Sequence, residues 1–310
     1  MAFSATGRSD VAGIIPEDYS NEFLASTVAA SAVLSTFRTI RLGTKVTKMP
    51  VLSALPTAGF VTEYPTAGHE KPTTSAQWTN ETITVEEIAT IVPIPESVIE
   101  DSTVDLFDYM RPLIGEAFGK VIDGAVLLGT TTKPSSWSND LLAQAKTASQ
   151  RVVSGGSGED LADDLNNTFA EVEGAGFDVS HVFMGRAMRS RLRGLRDSNG
   201  QFIYSDLANG TAAEQVYGAD IAYVSNGAWS EAADTGAYAV AVDASRCVVG
   251  VRSDMDYKVL TEATVDGVNL AESDMVALRV KMRLGWALNK GVNALGGTVP
   301  IGAYTQPDTP

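Results

Sequence analysis

The strongest periodic signal in the chain runs through "EDSTVDLFDYMRPLIGEAFGKVIDGAVLLGT", where Leu106, Met110, Leu113 or Ile114, Ala117, Val121 and Ala125 recur at spacings of three and four. That period predicts a long helix with one broad apolar stripe. Ser102 and Asp105 are spaced like a capping box at its start, and Pro112 is expected to break or kink the first turns because it removes a backbone donor. Gly115 and Gly119 lie four apart, so another backbone can come close along that face; Glu116, Lys120 and Asp123 exclude a membrane span. A second helix is predicted over 159–173, with Glu159, Asp160, Asp163 and Asp164 where the backbone dipole favours anions and Leu161, Leu165, Phe169 and Val172 as its buried stripe. "RAMRSRLRGLR" predicts a third, and shorter helices fit 139–148 and Ser20–Phe37, where Phe23, Thr27, Ala30 and Leu34 align. Between Val276 and Leu284, apolar residues alternate with Ala277, Arg279, Lys281 and Arg283, which predicts a long half-exposed strand. "ETITVEEIATIVPIP" is a strand with a proline stop, and "SHVFMG", "IAYVS", "AYAVAVD", "RCVVGVR" and "DYKVLTEATV" are shorter ones. Helices and strands intermingle, so the class is α+β.

Residues 51–82 break the pattern: 12 of these 32 positions are Thr, Pro or Gly, yet Leu52, Leu55, Phe60, Tyr64 and Trp78 are threaded through them. Such a segment cannot build its own core. A lone hairpin is marginal in water, and long irregular excursions in compact domains are usually functional. The segment is predicted to be an extended two-stranded excursion that rests on another molecule. Quaternary assembly is therefore the first functional hypothesis. Residues 1–20, small, polar and without sustained period, read as an arm that needs a partner surface.

Composition changes this picture little. With 44% hydrophobic and 20% charged residues over 310 positions, the chain can bury one large core or two ordinary ones. The net charge of −15 argues against wrapping nucleic acid over the whole surface. The single cysteine, Cys247, is expected as a buried strand thiol. No secretory signal and no 18-residue apolar run are visible, and the chain reads as intracellular in origin.

Chemistry is sparse. His69 and His181 are the only histidines, too few for an imidazole-based acid/base or zinc site; His69 reads as a turn residue and His181 as structural. "GEAFGK" (115–120) is one residue short of a phosphate loop and falls within a helix, "DSNG" (197–200) lacks the later ligands of a calcium loop, and "GGSG" (155–158) reads as a linker. No paired-carboxylate site is visible, and no catalytic residue, cofactor or metal is assigned. One constellation stands out: Arg186, Arg189, Arg193 and Arg196 recur along one helix face with Arg191 off it. A phosphate-binding stripe is the sharp reading. The preferred one is a solvated or salt-bridged face meeting carboxylates of the same or a neighbouring subunit. Arg279, Lys281 and Arg283 on one strand face invite the same argument, because such a row would repel itself in solvent.

Three stretches, in their order and spacing, resemble the major capsid proteins of tailed bacteriophages over nearly everything after residue 20. "IVPIPESVIEDSTVDLFDYMRPLIGEAFGKVIDGAVLLG" is similar to that family's strand leading into a long spine helix, "VFMGRAMRSRLRGLRDSNGQFIYSD" to its axial-domain helix and following turn, and "DMVALRVKMRLGWALNKGVNALGG" to its late peripheral-domain strand and closing segment. The resemblance implies an N-terminal arm and helix (1–47), an extended β-hairpin loop (48–82), a peripheral domain with the spine helix (83–130 and 252–286) and an axial domain (131–251 and 287–310). It also implies hexamers and pentamers closing into an icosahedral shell around double-stranded DNA, and a place in the virion after assembly in the host cytoplasm. Scaffolding, portal and decoration proteins are implied as partners, with DNA held by proximity alone; no membrane is involved. Some members carry a long N-terminal scaffolding domain, which this chain is expected to lack, with a separate scaffold and a removed segment both left open. Phe60, Tyr64, Lys71 and Trp78 of the loop and Arg186, Arg189, Arg193 and Arg196 are the expected intersubunit contacts; Lys71 is also a conceivable cross-link donor, with no acceptor identified. An encapsulin-like compartment, which shares the fold but packages enzymes, and a soluble enzyme with a scattered site are the alternatives.

Overall fold

A computed structural model describes residues 27, 31–61, 71, 73–101, 106–131, 133–155, 160–196, 199, 201, 215–233 and 235–308. The arm, the stripe residues Phe23 and Ala30, the Ser102–Asp105 cap, Glu159, His69, Tyr64 and most of the 197–200 turn lie outside the described residues.

Two sheets share one apolar core. β13 (Met275–Leu288) pairs antiparallel with β10 (Cys247–Leu260) and with β4 (Glu86–Pro95), and β1 (Arg38–Arg41) joins β10 in parallel, giving the order β1-β10-β13-β4. The separate strands expected at "RCVVGVR" and "DYKVLTEATV" are largely one: β10 absorbs the polar residues between them as bulges, with register shifts between Val251 and Ser253 and between Ser253 and Asp256. β13 is half-exposed only at first. Arg279, Lys281 and Arg283 alternate with buried Leu278, Val280 and Met282, but every residue from Leu284 to Leu288 is buried. Pro93 and Pro95 sit opposite Ala277 and Met275 in β4, an edge strand, where a residue without an N–H is tolerated.

The second sheet has the order β5-β14-β9-β6-β8-β7, built from Arg151–Val153, Ile301–Thr305, Ala239–Val242, His181–Gly185, Ala219–Val224 and Gln215–Val216. The spine begins with α2 (Glu96–Asp101), which follows the short α1 (Ala32–Thr36), and continues as α3 (Leu106–Asp123). α4 (Leu141–Thr147), α5 (Leu161–Gly174) and α6 (Arg186–Gly194) follow. α5 and α6 cover one face of the second sheet through Leu165, Phe169, Val172, Met188 and Leu192. The other face, with Phe183, Val240, Val242, Ile301 and Ala303, joins α1, α3, α4 and the inner face of the first sheet in a continuous core.

α3 runs as a single helix through Pro112, with no break there, and passes into a π-helical turn, Gly124–Leu128, that left-handed Gly129 (φ 66°) ends. Its buried stripe is Ile114, Phe118 and Ile122, while Leu113 is half-exposed and Ala117 exposed. Both stripes are apolar, so periodicity alone could not choose between them; contact with the sheet does.

β2 (Val46–Ala54) and β3 (Gln77–Thr84) form a separate antiparallel ribbon. Ile83 and Val85 anchor its base against Leu42, Val248 and Ala287 on the outer face of the first sheet. Gly250 and Gly285 face each other across β10 and β13 at this point. A Cβ on Gly285 would collide with the Thr84 carbonyl oxygen and stand 3.1 Å from Ile83 Cγ2, and one on Gly250 would collide with Leu42 Cδ1. The glycine pair thus leaves a slot across which the ribbon's base passes. Cys247 is buried in the same strand, and burial pushes its thiol pKa up.

Gly285→Ala is expected to destabilise the subunit by about 1–3 kcal/mol through overpacking against backbone. Gly250→Ala should cost less, because the flexible end of Leu42 can yield; chemical denaturation of both variants beside the parent chain checks the order.

Candidate assembly surfaces

The body holds the ribbon at its base, where Ile83 is buried, and again toward the outer end of the ladder, where Val51 is buried and Val292 N–H donates to the Leu52 carbonyl (2.9 Å). Every described residue from Leu55 to Asn80 is nonetheless exposed. Phe60 has a relative exposure of 110% and Trp78 of 69%, and Leu55 and Val61 are also exposed. Lys71 is exposed; Tyr64 lies outside the described residues. Each large apolar side chain gains about 1.5–3 kcal/mol when covered, so the ribbon carries association energy that its own subunit does not use. A second exposed apolar set, which sequence reasoning missed, is Tyr109 and Leu113 on α3 with Val98 on α2; of the three only Leu113 entered the expected stripe, as the alternative to Ile114.

α6 rests on Met188 and Leu192 and turns Arg186, Arg189 and Arg193 outward, with Arg196 exposed just beyond its end. The Arg189 guanidinium lies 5.7 Å from the Tyr223 ring centroid. Burial raises the Tyr223 pKa, and the charges of Arg189 and Arg193 oppose that shift. Arg191, off the stripe, is held within the subunit by Glu231 (3.3 Å) and over the ring of Tyr238 (4.4 Å). Arg186 and Arg193 make no hydrogen bond or ion pair among the described residues. Two members of the row on β13 are met internally instead: Lys281 pairs with Asp256 (3.0 Å) and Arg283 with Glu87 (2.7 Å) across the neighbouring strands.

His181 lies beside the Ser180 hydroxyl (3.2 Å) and 3.9 Å from Asp220. The 115–120 segment is helical, as expected, and among the described residues no group of three or more His, Cys, Asp or Glu could hold a metal ion. No described helix is long and apolar enough to cross a membrane. Sequence reasoning placed no role on Asp123, at the end of α3, yet its buried carboxylate gathers four donors. These are the Ser31 hydroxyl (2.6 Å), the N–H groups of Ala32 (3.0 Å) and Val33 (3.1 Å) at the start of α1, and the Asn226 amide (2.7 Å). It therefore fastens the N-terminal segment and a loop of the second sheet to the spine. The signal was a lone carboxylate between Ile122 and Ala125 in an apolar stretch.

A two-sheet α+β body with a long spine helix and an exposed apolar ribbon defines the class as a structural subunit. The model of the Phage capsid family matches residues 12–291; the chain belongs to that family, whose members are structural capsid proteins rather than enzymes. A solved structure from Mycobacterium phage Bobi is 38% identical, with a TM-score of 0.80, covering 99% of this chain and 100% of that one. Another, from Microbacterium phage Oxtober96, is 41% identical with a TM-score of 0.79, covering 89% and 91%. The major capsid protein of Staphylococcus phage 80alpha is 25% identical over 226 residues, 70% of this chain and 65% of that relative's length, so this match spans just under two thirds of it.

Asp123→Ala should cost about 3 kcal/mol, since it leaves buried donors without a partner. Burial raises the Asp123 pKa above 3.8, and its hydrogen bonds to Ser31, Val33, Ala32 and Asn226 oppose that shift. A raised folded pKa means that protonation contributes stability fully present below 3.8 and lost as pH rises through the folded value. The stability of the parent relative to Asp123→Asn is therefore expected to fall as pH rises from 3.8 upward, and denaturant titrations across that window read it.

Proposed function

We propose that the chain is the major capsid protein of a tailed phage, assembling as hexamers and pentamers into an icosahedral shell that encloses double-stranded DNA in the virion. The observation that carries this reading is the ribbon, whose Phe60 and Trp78 find no cover on their own subunit. Family membership supports it. In this reading Phe60, Tyr64, Lys71 and Trp78 lie on neighbouring subunits, as does the arginine face of α6. The loop comprises 48–82, the peripheral domain 83–130 with 252–286, and the axial domain 131–251 with 287–310. The two separate sheets support that division, with β10 and β13 running through its boundaries. Scaffolding, portal and decoration proteins complete the assembly in the host cytoplasm.

Electron microscopy of the purified chain is expected to show hollow shells. A Phe60→Ser/Trp78→Ser variant should keep its fold and melt within about 0.5 kcal/mol of the parent, as surface substitutions do. The loss of about 3 kcal/mol of burial weakens each contact roughly a hundredfold or more, so the variant should elute as free subunits where the parent forms particles. Undiminished particle formation by that variant would overturn the role given to the ribbon.

A further inference from the structure

Resting on the shell reading, we infer that the arginine face of α6 binds the acidic face of α5 on a second copy of the chain, in a head-to-tail contact repeated around a ring.

α6 contains no acidic residue, and Arg186, Arg189 and Arg193 cluster on one side of it, exposed, with no ion pair among the described residues. Like charges three and four residues apart destabilise a helix, and Arg186 stands at the helix start, where the dipole disfavours a cation. In a chain of net charge −15 such a face calls for an anion. The other helix on the same sheet face supplies its complement: the outer half of α5 exposes Asp163, with Glu171 and Glu173 on either flank of it. None of these makes a side-chain ion pair among the described residues. Although both helices cover one face of the six-stranded sheet, no ion pair joins α5 to α6 within the subunit.

The spacings match. At 1.5 Å of rise per residue, Arg186 and Arg193 stand about 10 Å apart along α6, and Asp163 and Glu171 about 12 Å apart along α5. Two such helices laid side by side bring two guanidinium–carboxylate pairs into register, and the guanidinium fork suits carboxylates at interfaces. Because the two faces belong to different helices, the contact is heterologous: each copy offers arginines to one neighbour and carboxylates to the other, which closes into a ring when the rotation allows. Nucleic-acid phosphates are the competing occupant. The second copy is favoured because both halves of the match occur on one chain, exposed and without an ion pair among the described residues.

The test is a charge swap in the full chain, read by particle yield on a density gradient and by electron microscopy, with circular dichroism confirming the fold. Arg186→Glu/Arg189→Glu/Arg193→Glu is expected to lower particle yield at least tenfold, and Asp163→Lys/Glu171→Lys/Glu173→Lys to do the same. The chain carrying both sets should recover most of the parent's yield. If the arginine swap assembles like the parent, or if both single swaps fail and the combined chain stays folded without recovering, the inference is overturned while the shell reading stands. If the parent itself forms no particles, the shell reading is what fails. Should the Glu set unfold the helix, the neutral Arg186→Gln/Arg189→Gln/Arg193→Gln set takes its place, with an expected fall in yield and a loss of the parent's salt sensitivity; parent-like yield and salt response there also overturn the inference. Retention of unassembled parent, but not of the arginine variants, by double-stranded DNA at about 0.15 M salt would reassign the face to phosphate.

Discussion

The half of the β10–β13 ladder from Cys247 to Val251 and Leu284 to Leu288 must be covered on both faces. Val249, Val251, Leu284, Trp286 and Leu288 enter the main core, and Val248 and Ala287 enter the small outer one with Leu42, Ile83 and Val85. Few residues can satisfy two packed faces at once, which is why this stretch mixes large inward side chains with Gly250, Gly285 and Ala287 outward. The ribbon's direction depends on that choice. With only hydrogen atoms in the slot, the chain passing from β3 toward β4 comes close to the sheet, the Thr84 carbonyl oxygen lying against Gly285. An assembly surface carried on a two-stranded arm is useful only if the arm is aimed, and here backbone contacts hold it, at Gly285 and at the Val292–Leu52 hydrogen bond.

Asp123 plays the matching part on the other side of the core. A carboxylate held by four donors from two distant segments resists being dismantled piece by piece, because losing one donor leaves the charge buried with fewer compensations. The spine, the segment leading out of the N-terminal region and the loop at Asn226 therefore move together or not at all. Rigid subunits suit an assembly in which each contact is individually weak: exposed ion pairs contribute about 0.2–1 kcal/mol each, and specificity then comes from many contacts being satisfied at the same time.

Much of this was legible in the residues, and what was not has identifiable causes. The helices α3 and α5 and the strand β13 announced themselves by period. The ribbon announced itself by contradiction, since Phe60 and Trp78 among Pro, Thr and Gly cannot form a core. The inward stripe of α3 was left open between Leu113 and Ile114 and took in the exposed Ala117, because Tyr109, Leu113 and Ala117 offer a second apolar face, and only the sheet decides which is inside. β10 looked like two strands because Arg252, Ser253 and Asp254 interrupt the alternation, whereas a bulge tolerates them. The glycine slot and the Asp123 clamp were invisible for a deeper reason. A glycine pair 35 positions apart, or a carboxylate some 90 positions from its donors, acquires meaning only when distant segments cross. The arginine stripe was seen, but Arg191 rather than the stripe is what the subunit neutralises for itself.

The prolines of β4 carry a consequence for fidelity. A protein that must be concentrated to high local density is exposed to runaway strand-to-strand stacking wherever a sheet ends in open hydrogen-bonding groups. One margin of the first sheet ends in Pro93 and Pro95, and the other in the four-residue β1, which begins and ends with arginine. Neither margin is a good template for another backbone. Copies are left to recognise one another through side chains, whose contacts can be tested, released and remade, and the route to irreversible fibres is narrowed before the first neighbour arrives.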